Sequence, residues 1–289
     1  MIKLKSKNID KLLIDYPIIE IPLMLDITTL LDNLTDLCTL DQLSQVRENL
    51  GKAIFRVDTK EVITTVSKDY QVITHIDMLK NVEDTLKING LDFELFDINE
   101  GGKNKNRVYV NYLLPSYKFT VDEDVYIPFI QAYSCYDKFL SYGLLTGLYR
   151  IDNESAFLVF DKTLLAKRRH LRGKLELTED MIHIEKWIST LGELRRKISD
   201  LRNPSNSTET LLIEGENIIR KVIKAKRHRR IFKELNILPE YVKRFGNTKY
   251  ALFVALSEYV THGLIDDKKK RAYDRSRGAQ IQLYNLFLK

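Results

Sequence analysis

Residues 107–151 read RVYVNYLLPSYKFTVDEDVYIPFIQAYSCYDKFLSYGLLTGLYRI, and this stretch decides the fold class. It contains several runs of β-branched and aromatic residues, which are the residue types that favour strands. Short turn-forming segments separate these runs, among them the acidic turn at Asp122–Asp124. Because the runs follow one another without a helical segment between them, the stretch predicts consecutive antiparallel strands.

The neighbouring segments extend this sheet and add one helix. Residues 53–72 alternate at period two around Asp58–Lys60, which predicts a β-hairpin, and GGKNK at 101–105 predicts another. HIDMLKNVEDTLKIN places one apolar stripe along a helix that ends at Gly90; its members are Ile76, Leu79, Val82 and Leu86. We therefore expect an α+β fold, with a mainly antiparallel sheet and a packed helix over about residues 52–160.

The two flanking regions have helical periodicity. Residues 1–51 predict an N-terminal helical segment, with Thr39 as N-cap and Gly51 as its end. Residues 161–289 predict a basic helical half, in which NPSNST at 203–208 is the clearest linker. The expected helices there run from Thr178 to Asn203, from Glu209 to Leu235, from Tyr250 to His262 and from Gly278 to Leu288.

Bulk properties exclude several classes of protein. The chain has 289 residues, 44% of them hydrophobic, which is enough for a substantial core. It has neither an uninterrupted apolar run of about 20 residues nor a signal peptide, so we expect a cytoplasmic protein with no membrane association. Its two cysteines, Cys38 and Cys135, are far apart and are expected to be buried thiols in a reducing compartment.

Charge divides unevenly along the chain. Residues 1–160 carry 17 basic and 24 acidic side chains, a balance of 17 − 24 = −7, and residues 161–289 carry 29 and 16, a balance of 29 − 16 = +13. A cationic half of this size favours a polyanionic partner, for which nucleic acid is the leading class. The alternative interpretation is a set of solvated helix faces.

Basic side chains of this half form three clusters. On a continuous helix, Arg220, Lys224 and Arg227 share a face while Ile219 and Ile223 turn to the core. Arginine and lysine suit phosphate contacts, so the clusters predict a nucleic-acid-binding surface. The predicted site residues are Lys167, Arg168, Arg169, Arg172, Lys174, Arg220, Lys224, Arg227, Arg229, Arg230, Lys269 and Arg271.

Sequence motifs for catalysis are missing. No phosphate-binding loop, dinucleotide fingerprint, zinc-protease motif or nucleophile elbow occurs, so we expect no catalytic residue, no metal site and no cofactor. A nuclease would need the separated carboxylates of Asp58, Asp137, Asp152 and Glu258 to converge on Mg²⁺. Sheet tyrosines provide a further expectation, since some of them could stack on bases; they are Tyr109, Tyr112, Tyr117, Tyr133, Tyr136 and Tyr142.

Several segments, in this order, carry a family resemblance. RVDTKEVITTVSKDYQVI, AYSCYD, GLYRIDN, KRRHLRGKL and FGNTKYALFVALSEYVTHGLIDDKKKR resemble the uncharacterised "phage/plasmid-like protein" family, a domain of unknown function, over roughly residues 50–289. The chain is a divergent match, because it has Ile151 and Asp152 where the family has a cysteine before Asn153. This resemblance implies a mobile genetic element and the cytoplasm of its bacterial host.

These observations lead to one expected function and two alternatives. A curved antiparallel sheet with a basic groove is similar to phage single-strand annealing proteins, which form oligomers and act in recombination without ATP. We therefore expect a protein that binds single-stranded DNA and forms homo-oligomers. The alternatives are a factor that blocks a host defence or replication protein through the acidic half, and the nuclease considered above.

Overall fold

The computed structural model describes part of the chain. The described residues are 18–22, 51–102, 106–137, 140, 142–152, 154–159, 166–168, 181–204, 207–264 and 272–289. The helix predicted from Thr39 and the thiol of Cys38 lie outside these residues.

A small sheet forms from the predicted hairpin and an earlier strand. β1 (Ile18–Pro22), β2 (Lys52–Arg56) and β3 (Glu61–Val66) pair antiparallel in the order β1-β2-β3. The hairpin of β2 and β3 is confirmed, and its turn contains Lys60 at a φ of 55°. β1 lies in the region where sequence analysis expected only helix, so that part of the N-terminal prediction is wrong.

The larger sheet has seven strands. Its main order is β10-β8-β7-β5-β4, with β6 beside β7 and β9 beside β8, and all of the pairings are antiparallel. The strands are β4 (Glu94–Gly101), β5 (Arg107–Leu113), β6 (Phe119–Val121), β7 (Asp124–Cys135), β8 (Tyr142–Arg150), β9 (Ser155–Val159) and β10 (Ala166–Arg168). The predicted antiparallel strands are therefore confirmed.

Helix α1 (His75–Ile88) packs against this sheet, as predicted. The hydroxyl of Thr74 accepts a hydrogen bond from the Asp77 backbone N–H and caps the first turn, and Gly90 follows the last turn at a φ of 65°. Its apolar stripe shares a buried cluster with side chains of β5 and β7; the members on α1 are Met78, Leu79, Val82 and Leu86. One face of the sheet is thus covered by a helix whose position follows from its sequence.

The helical half contains seven further helices within the described residues. They are α2 (Met181–Ser189), α3 (Leu191–Asp200), α4 (Thr208–Val222), α5 (Lys226–Glu234), α6 (Ile237–Phe245), α7 (Lys249–Glu258) and α8 (Ala272–Phe287). A π-helical turn, Tyr259–Gly263, extends α7. None of the helices in the described ranges is both long and apolar enough to cross a bilayer.

Two helices that were predicted as continuous are each divided in two. At Thr190 the side-chain hydroxyl donates to the Trp187 carbonyl at 2.7 Å, a local bond that competes with the helical pattern and separates α2 from α3. At Ile223 the backbone leaves the helical region, with φ −105° and ψ 87°, and α5 begins after Ala225. If α4 continued into α5 as one helix, Lys226 and Arg230 would lie on the same face as the buried Ile223. The break therefore keeps both cations out of the core.

Of the remaining three helices, α7 and α8 correspond to predicted helices and α6 does not. The helix predicted from Tyr250 to His262 corresponds to α7 with its π turn, and the last predicted helix is confirmed as the C-terminal part of α8. Helix α6 was missed because Pro239 interrupts its pattern. The proline is the third residue of the helix, a position where its missing N–H breaks no intrahelical bond.

One large core joins the sheet to the helical half. Its buried members include Val110 of β5 and Ile130 of β7 together with Trp187, Leu211 and Phe253 of the helices. A second cluster lies on the other face of the sheet, where Tyr273 of α8 joins strand residues. The chain therefore has the expected α+β fold, and both of its parts contribute to the same interior.

Gly147 provides a test of how closely this interior is packed. In β8 it faces Phe129 and Phe157, and an added Cβ would lie 2.3 Å from Phe129 Cζ and 2.7 Å from the Phe157 carbonyl oxygen. We expect Gly147→Ala to lower the free energy of unfolding in urea by about 1–3 kcal/mol, because overpacking displaces the neighbouring ring and backbone.

Gly192→Ala is the matched control for this substitution. Gly192 lies in the first turn of α3, and an added Cβ would meet nothing within 4 Å. The control should leave stability unchanged or raise it slightly, since alanine is the better helix former. Equal stability of the Gly147→Ala variant and its parent would contradict the packing described here.

Candidate nucleic-acid interface

The predicted site residues are distributed over described and undescribed segments. Lys167 and Arg168 lie on the backbone of β10. Arg220 lies on α4, Lys224 between α4 and α5, and three more lie on α5: Arg227, Arg229 and Arg230. The others are outside the described residues; they are Arg169, Arg172, Lys174, Lys269 and Arg271.

The predicted ridge of Arg220, Lys224 and Arg227 is wrong in its geometry. The three residues do not share one helix, because the chain leaves the helical conformation at Ile223. The cationic stripe instead runs along α5 at spacings i, i+3, i+4 and i+7, and its members are Lys226, Arg229, Arg230 and Lys233. The opposite face of α5 buries His228 and Phe232 in the core.

This stripe and α4 together form a basic pocket of about 490 Å³. Five cationic side chains and one carboxylate line it, together with Ile219; they are Arg220, Lys226, Arg229, Arg230, Lys233 and Glu216. The structure therefore brings three of the predicted residues to one place. Lys226 and Lys233 are the two that the predicted site did not include, although Lys226 lies in the second basic cluster and their spacing on a helix beginning at 226 would have indicated both.

The acidic side chains of this region neutralise only part of its charge. Glu216 pairs with Lys233 and lies 3.5 Å from Arg220, and Glu234 lies 3.3 Å from Arg230. The hydrogen bond and the charge of Lys233 lower the pKa of Glu216. Within the described ranges, Lys226 and Arg229 have no such acidic partner. The N-terminus of α5 has neither an acidic residue in its first turn nor a side-chain cap, which adds to the positive potential.

Lys224 and Arg227, the other two predicted residues near α4 and α5, lie outside this pocket. Lys224 lines a separate cavity of about 400 Å³ between the α4–α5 connection and α8, where Ile223 and Ala279 provide apolar walls. Arg227 is exposed on α5 and belongs to the lining of neither cavity. The pocket is therefore smaller than the predicted site.

Sheet tyrosines do not form an exposed stacking surface. Five of the six candidates are buried to 5% exposure or less, and only Tyr117 is partly exposed. The buried ones are Tyr109, Tyr112, Tyr133, Tyr136 and Tyr142. From the sequence alone, a ring exposed for stacking could not be told from a buried one, because the sequence does not show that both faces of the sheet are covered. Base stacking on these five rings is thus excluded in this fold.

The carboxylates of the nuclease alternative lie in separate contacts. Asp58 pairs with Arg56, Asp137 with Arg107, Asp152 with Arg150 and Arg244, and Glu258 accepts a hydrogen bond from Tyr241. Among the residues that the structure describes, no three side chains of metal-binding type are grouped together. The convergence on Mg²⁺ that this alternative requires is absent from that part of the chain. Cys135 is a buried free thiol, as expected, and burial raises its pKa to about 12.

Ion pairs at the acidic turn tie the sheet to the helices. Asp124 is fully buried and bridges Arg150, at 2.5 Å, and Arg202. Tyr250 of α7 also donates to this carboxylate, and the Arg202 guanidinium lies 4.1 Å from the centre of the Tyr250 ring. The acidic turn is therefore a structural junction, a role that the sequence did not predict for it.

Comparisons with known proteins identify no relative. No family model matches the chain, no curated protein matches it and no solved structure matches it.

The junction at Asp124 makes a strong prediction for stability. Asp124→Ala should lower the free energy of unfolding by about 3–5 kcal/mol, because Arg150 and Arg202 lose the carboxylate they share in the interior. Asp122→Asn is the control: Asp122 also contacts Arg202, at 3.0 Å, but its side chain is 64% exposed, and asparagine tolerates the φ of 50° at this position. The control should cost less than about 1 kcal/mol. Equal losses in urea unfolding would contradict the assigned role of Asp124.

The pair of Asp152 and Arg244 predicts an acid-dependent loss of stability. Burial alone would raise the pKa of Asp152, but hydrogen bonds and charge from Arg244 and Arg150 outweigh it and lower the pKa below its ordinary value of 3.8. The contribution of this carboxylate is therefore present above pH 3.8 and is lost as the pH falls through the lower folded-state pKa. Asp152→Asn should be less stable than the parent at pH 7, and the difference should shrink below pH 3.8. If urea unfolding shows the same difference in free energy between Asp152→Asn and its parent from pH 7 to below pH 3.8, this pH dependence is contradicted.

Proposed function

We propose that this protein binds single-stranded nucleic acid at the basic pocket between α4 and α5, where it contacts the phosphate backbone of the nucleic acid. The observation that carries the proposal is the composition of that pocket, in which five cationic side chains face one carboxylate. Four of the cations follow the same face of α5, where neighbouring like charges destabilise a helix by a few tenths of a kcal/mol. A bound polyanion would relieve this repulsion.

Phosphate is the anion that this arrangement suits best. Arg229 and Arg230 can each present a planar pair of N–H donors to phosphate oxygens, and Lys226 adds a mobile point charge. The backbone N–H groups at the start of α5 lie at the positive end of the helix dipole, and both features favour an anion there. Contacts of this kind read the backbone and carry no sequence information, so we propose binding with little sequence preference.

The buried tyrosines make the proposed binding mode more specific. Since the five sheet rings are not available for stacking, the bases would remain free while the protein holds the backbone. Free bases are what the pairing of complementary strands requires, so the proposal includes strand annealing without ATP. The family resemblance favours a phage or plasmid origin and action in the host cytoplasm, in recombination or replication. Homo-oligomerisation belongs to the same proposal.

A double variant tests the pocket directly. Arg229→Ala with Arg230→Ala should weaken binding to labelled single-stranded DNA about tenfold or more and reduce the slope of log K against log salt by up to about 1.4, as expected for two lost phosphate contacts. The measurement is fluorescence anisotropy at several salt concentrations between about 50 and 200 mM, with duplex DNA and RNA of equal length in parallel.

Arg195→Ala with Arg196→Ala is the matched control. Both arginines are exposed on α3, so the control loses the same charge from another helix. It should bind almost as well as the parent. If both double variants weaken DNA binding equally, the pocket contributes no more to binding than other positive surfaces of the protein do. Absence of binding by the parent at low salt would remove the proposal and leave the protein-binding alternative.

A further inference from the structure

A further cavity, of about 210 Å³, lies between the seven-stranded sheet and the helices. Its walls come from both parts of the fold. Strands β4, β5, β7, β8 and β9 line one side, and Thr261 and His262 of the π turn and Tyr273 and Gln280 of α8 line the other. A cavity of this size accommodates a small molecule or the end of one long side chain.

Aromatic rings form a large part of the cavity wall. Phe96 and Tyr149 contact each other with ring centroids 4.7 Å apart and planes inclined at 59°, and Phe129 and Tyr273 add further rings. Aromatic faces carry partial negative charge, so they attract cations that lie over them. This surface favours a ligand that is apolar in shape and positive in charge.

The charged groups of the lining have the same preference. Asp97 and Glu154 contribute two carboxylates, and within the described residues no lysine or arginine lines the cavity. Arg277 lies behind the wall, where it donates to Gln131 at 2.9 Å and stacks over Tyr133 at 4.6 Å. The remaining polar residues of the lining, besides the two tyrosines, are Asn111, Thr261, His262 and Gln280.

A chain of buried and part-buried hydrogen bonds orients the Asp97 carboxylate. From Arg277 it passes through the amide of Gln131, which donates to Asn111 at 3.0 Å and to the Tyr273 hydroxyl at 3.1 Å. Asn111 then donates to Asp97 Oδ1 at 2.6 Å, and Asn99 donates to the other carboxylate oxygen at 2.9 Å. Side-chain networks of this kind hold their end groups rigidly. Asp97 is therefore preorganised at the cavity wall.

Two local backbone features present the other polar groups. Glu154 has a φ of 53°, a left-handed conformation that is costly for a residue with a long side chain. The π turn brings Thr261 into contact with β9, where its hydroxyl accepts a hydrogen bond from Ala156 N–H at 2.9 Å. Irregular backbone of both kinds is concentrated at functional sites.

The pKa values of the cavity tyrosines indicate a negative potential. Burial raises the pKa of Tyr149, and the charges of Glu154 and Asp97 raise it further. Burial also raises the pKa of Tyr273, with the next contribution from the charge of Asp97.

We propose that this cavity binds an organic cation with N–H donors, a guanidinium or alkylammonium group, held between the aromatic rings and the carboxylates of Asp97 and Glu154. The cation belongs either to a free small molecule or to an arginine or lysine side chain of another protein. The carboxylates and the aromatic faces disfavour an anion, so this site is chemically distinct from the basic pocket between α4 and α5.

Isothermal titration of the full chain with four small probes tests the charge preference. Propylguanidinium and butylammonium provide the cation, butyramide is a neutral analogue and butyrate is an anionic one. A short peptide with one central arginine, compared with the same peptide containing citrulline, separates a protein side chain from a free molecule. We expect both cations to bind, and butyramide and butyrate to bind at least tenfold more weakly.

Variants of the two carboxylates locate the binding. Glu154→Gln should weaken propylguanidinium binding about fivefold and Asp97→Asn about tenfold or more, since a charge-assisted hydrogen bond is lost in each. Glu94→Gln is the control, because Glu94 is exposed on the same strand as Asp97 and lies outside the cavity lining. It should bind like the parent. Glu154 is also exposed, so its variant keeps the test valid if Asp97→Asn unfolds.

The outcomes separate clearly. Preferential binding of the cations that Glu154→Gln weakens supports the proposal; binding of the arginine peptide then assigns the cation to a protein partner, and its failure assigns it to a free molecule. Equal affinity for butyramide, no effect of either variant, or no cation binding at millimolar concentration overturns the proposal. Cytidine serves as a last probe, and its binding in place of the cations would overturn the proposal in favour of a base-binding cavity.

Discussion

The fold depends on one buried carboxylate. Asp124 begins β7, and its side chain bridges Arg150 at the end of β8 and Arg202 after α3, while Tyr250 of α7 donates to the same group. A charge with no exposure to solvent is tolerated only when several donors surround it. Since those donors come from the sheet, from the turn after α3 and from α7, satisfying Asp124 requires the two parts of the chain to assemble in one arrangement.

The neighbouring contacts extend this constraint to α6. Arg244 pairs with Asp152 at 2.8 Å, and the Arg150 and Arg202 guanidinium groups lie 5.5 and 5.4 Å from the centre of the Phe245 ring. These contacts fix the end of α6 just before α7 begins. Arginines of this half therefore serve two separate purposes: some neutralise carboxylates of the sheet, and others remain at the surface of α4 and α5. The net charge of the chain does not show which arginines neutralise carboxylates and which remain at the surface.

Helix α8 relates the two proposed sites within the fold. It packs against α4, which contributes Arg220 to the basic pocket, and against β4 and β9, which contribute walls to the cavity lined by Asp97 and Glu154. The two sites nevertheless have opposite charge, since five cations line one and two carboxylates line the other. A protein with both could hold a polyanion at its surface and a small cation between sheet and helices, and each binding event would contact an element that packs against α8.

Local periodicity was enough to specify the regular elements. The antiparallel strands, the hairpin at Asp58–Lys60, the helix ending before Gly90 and the helical nature of the second half all follow from alternation, apolar stripes and turn residues. The sequence also located the basic segment of α5. It could not place the break at Ile223, because that break depends on which side of the helix the core lies, and so it assigned Arg220, Lys224 and Arg227 to one ridge. Three other features emerge from the folded chain alone: five sheet tyrosines are buried, Asp124 joins Arg150 to Arg202, and Asp97 and Glu154 share a cavity. These contacts join residues far apart in the chain, and their energies depend on burial and on partners that no local pattern specifies.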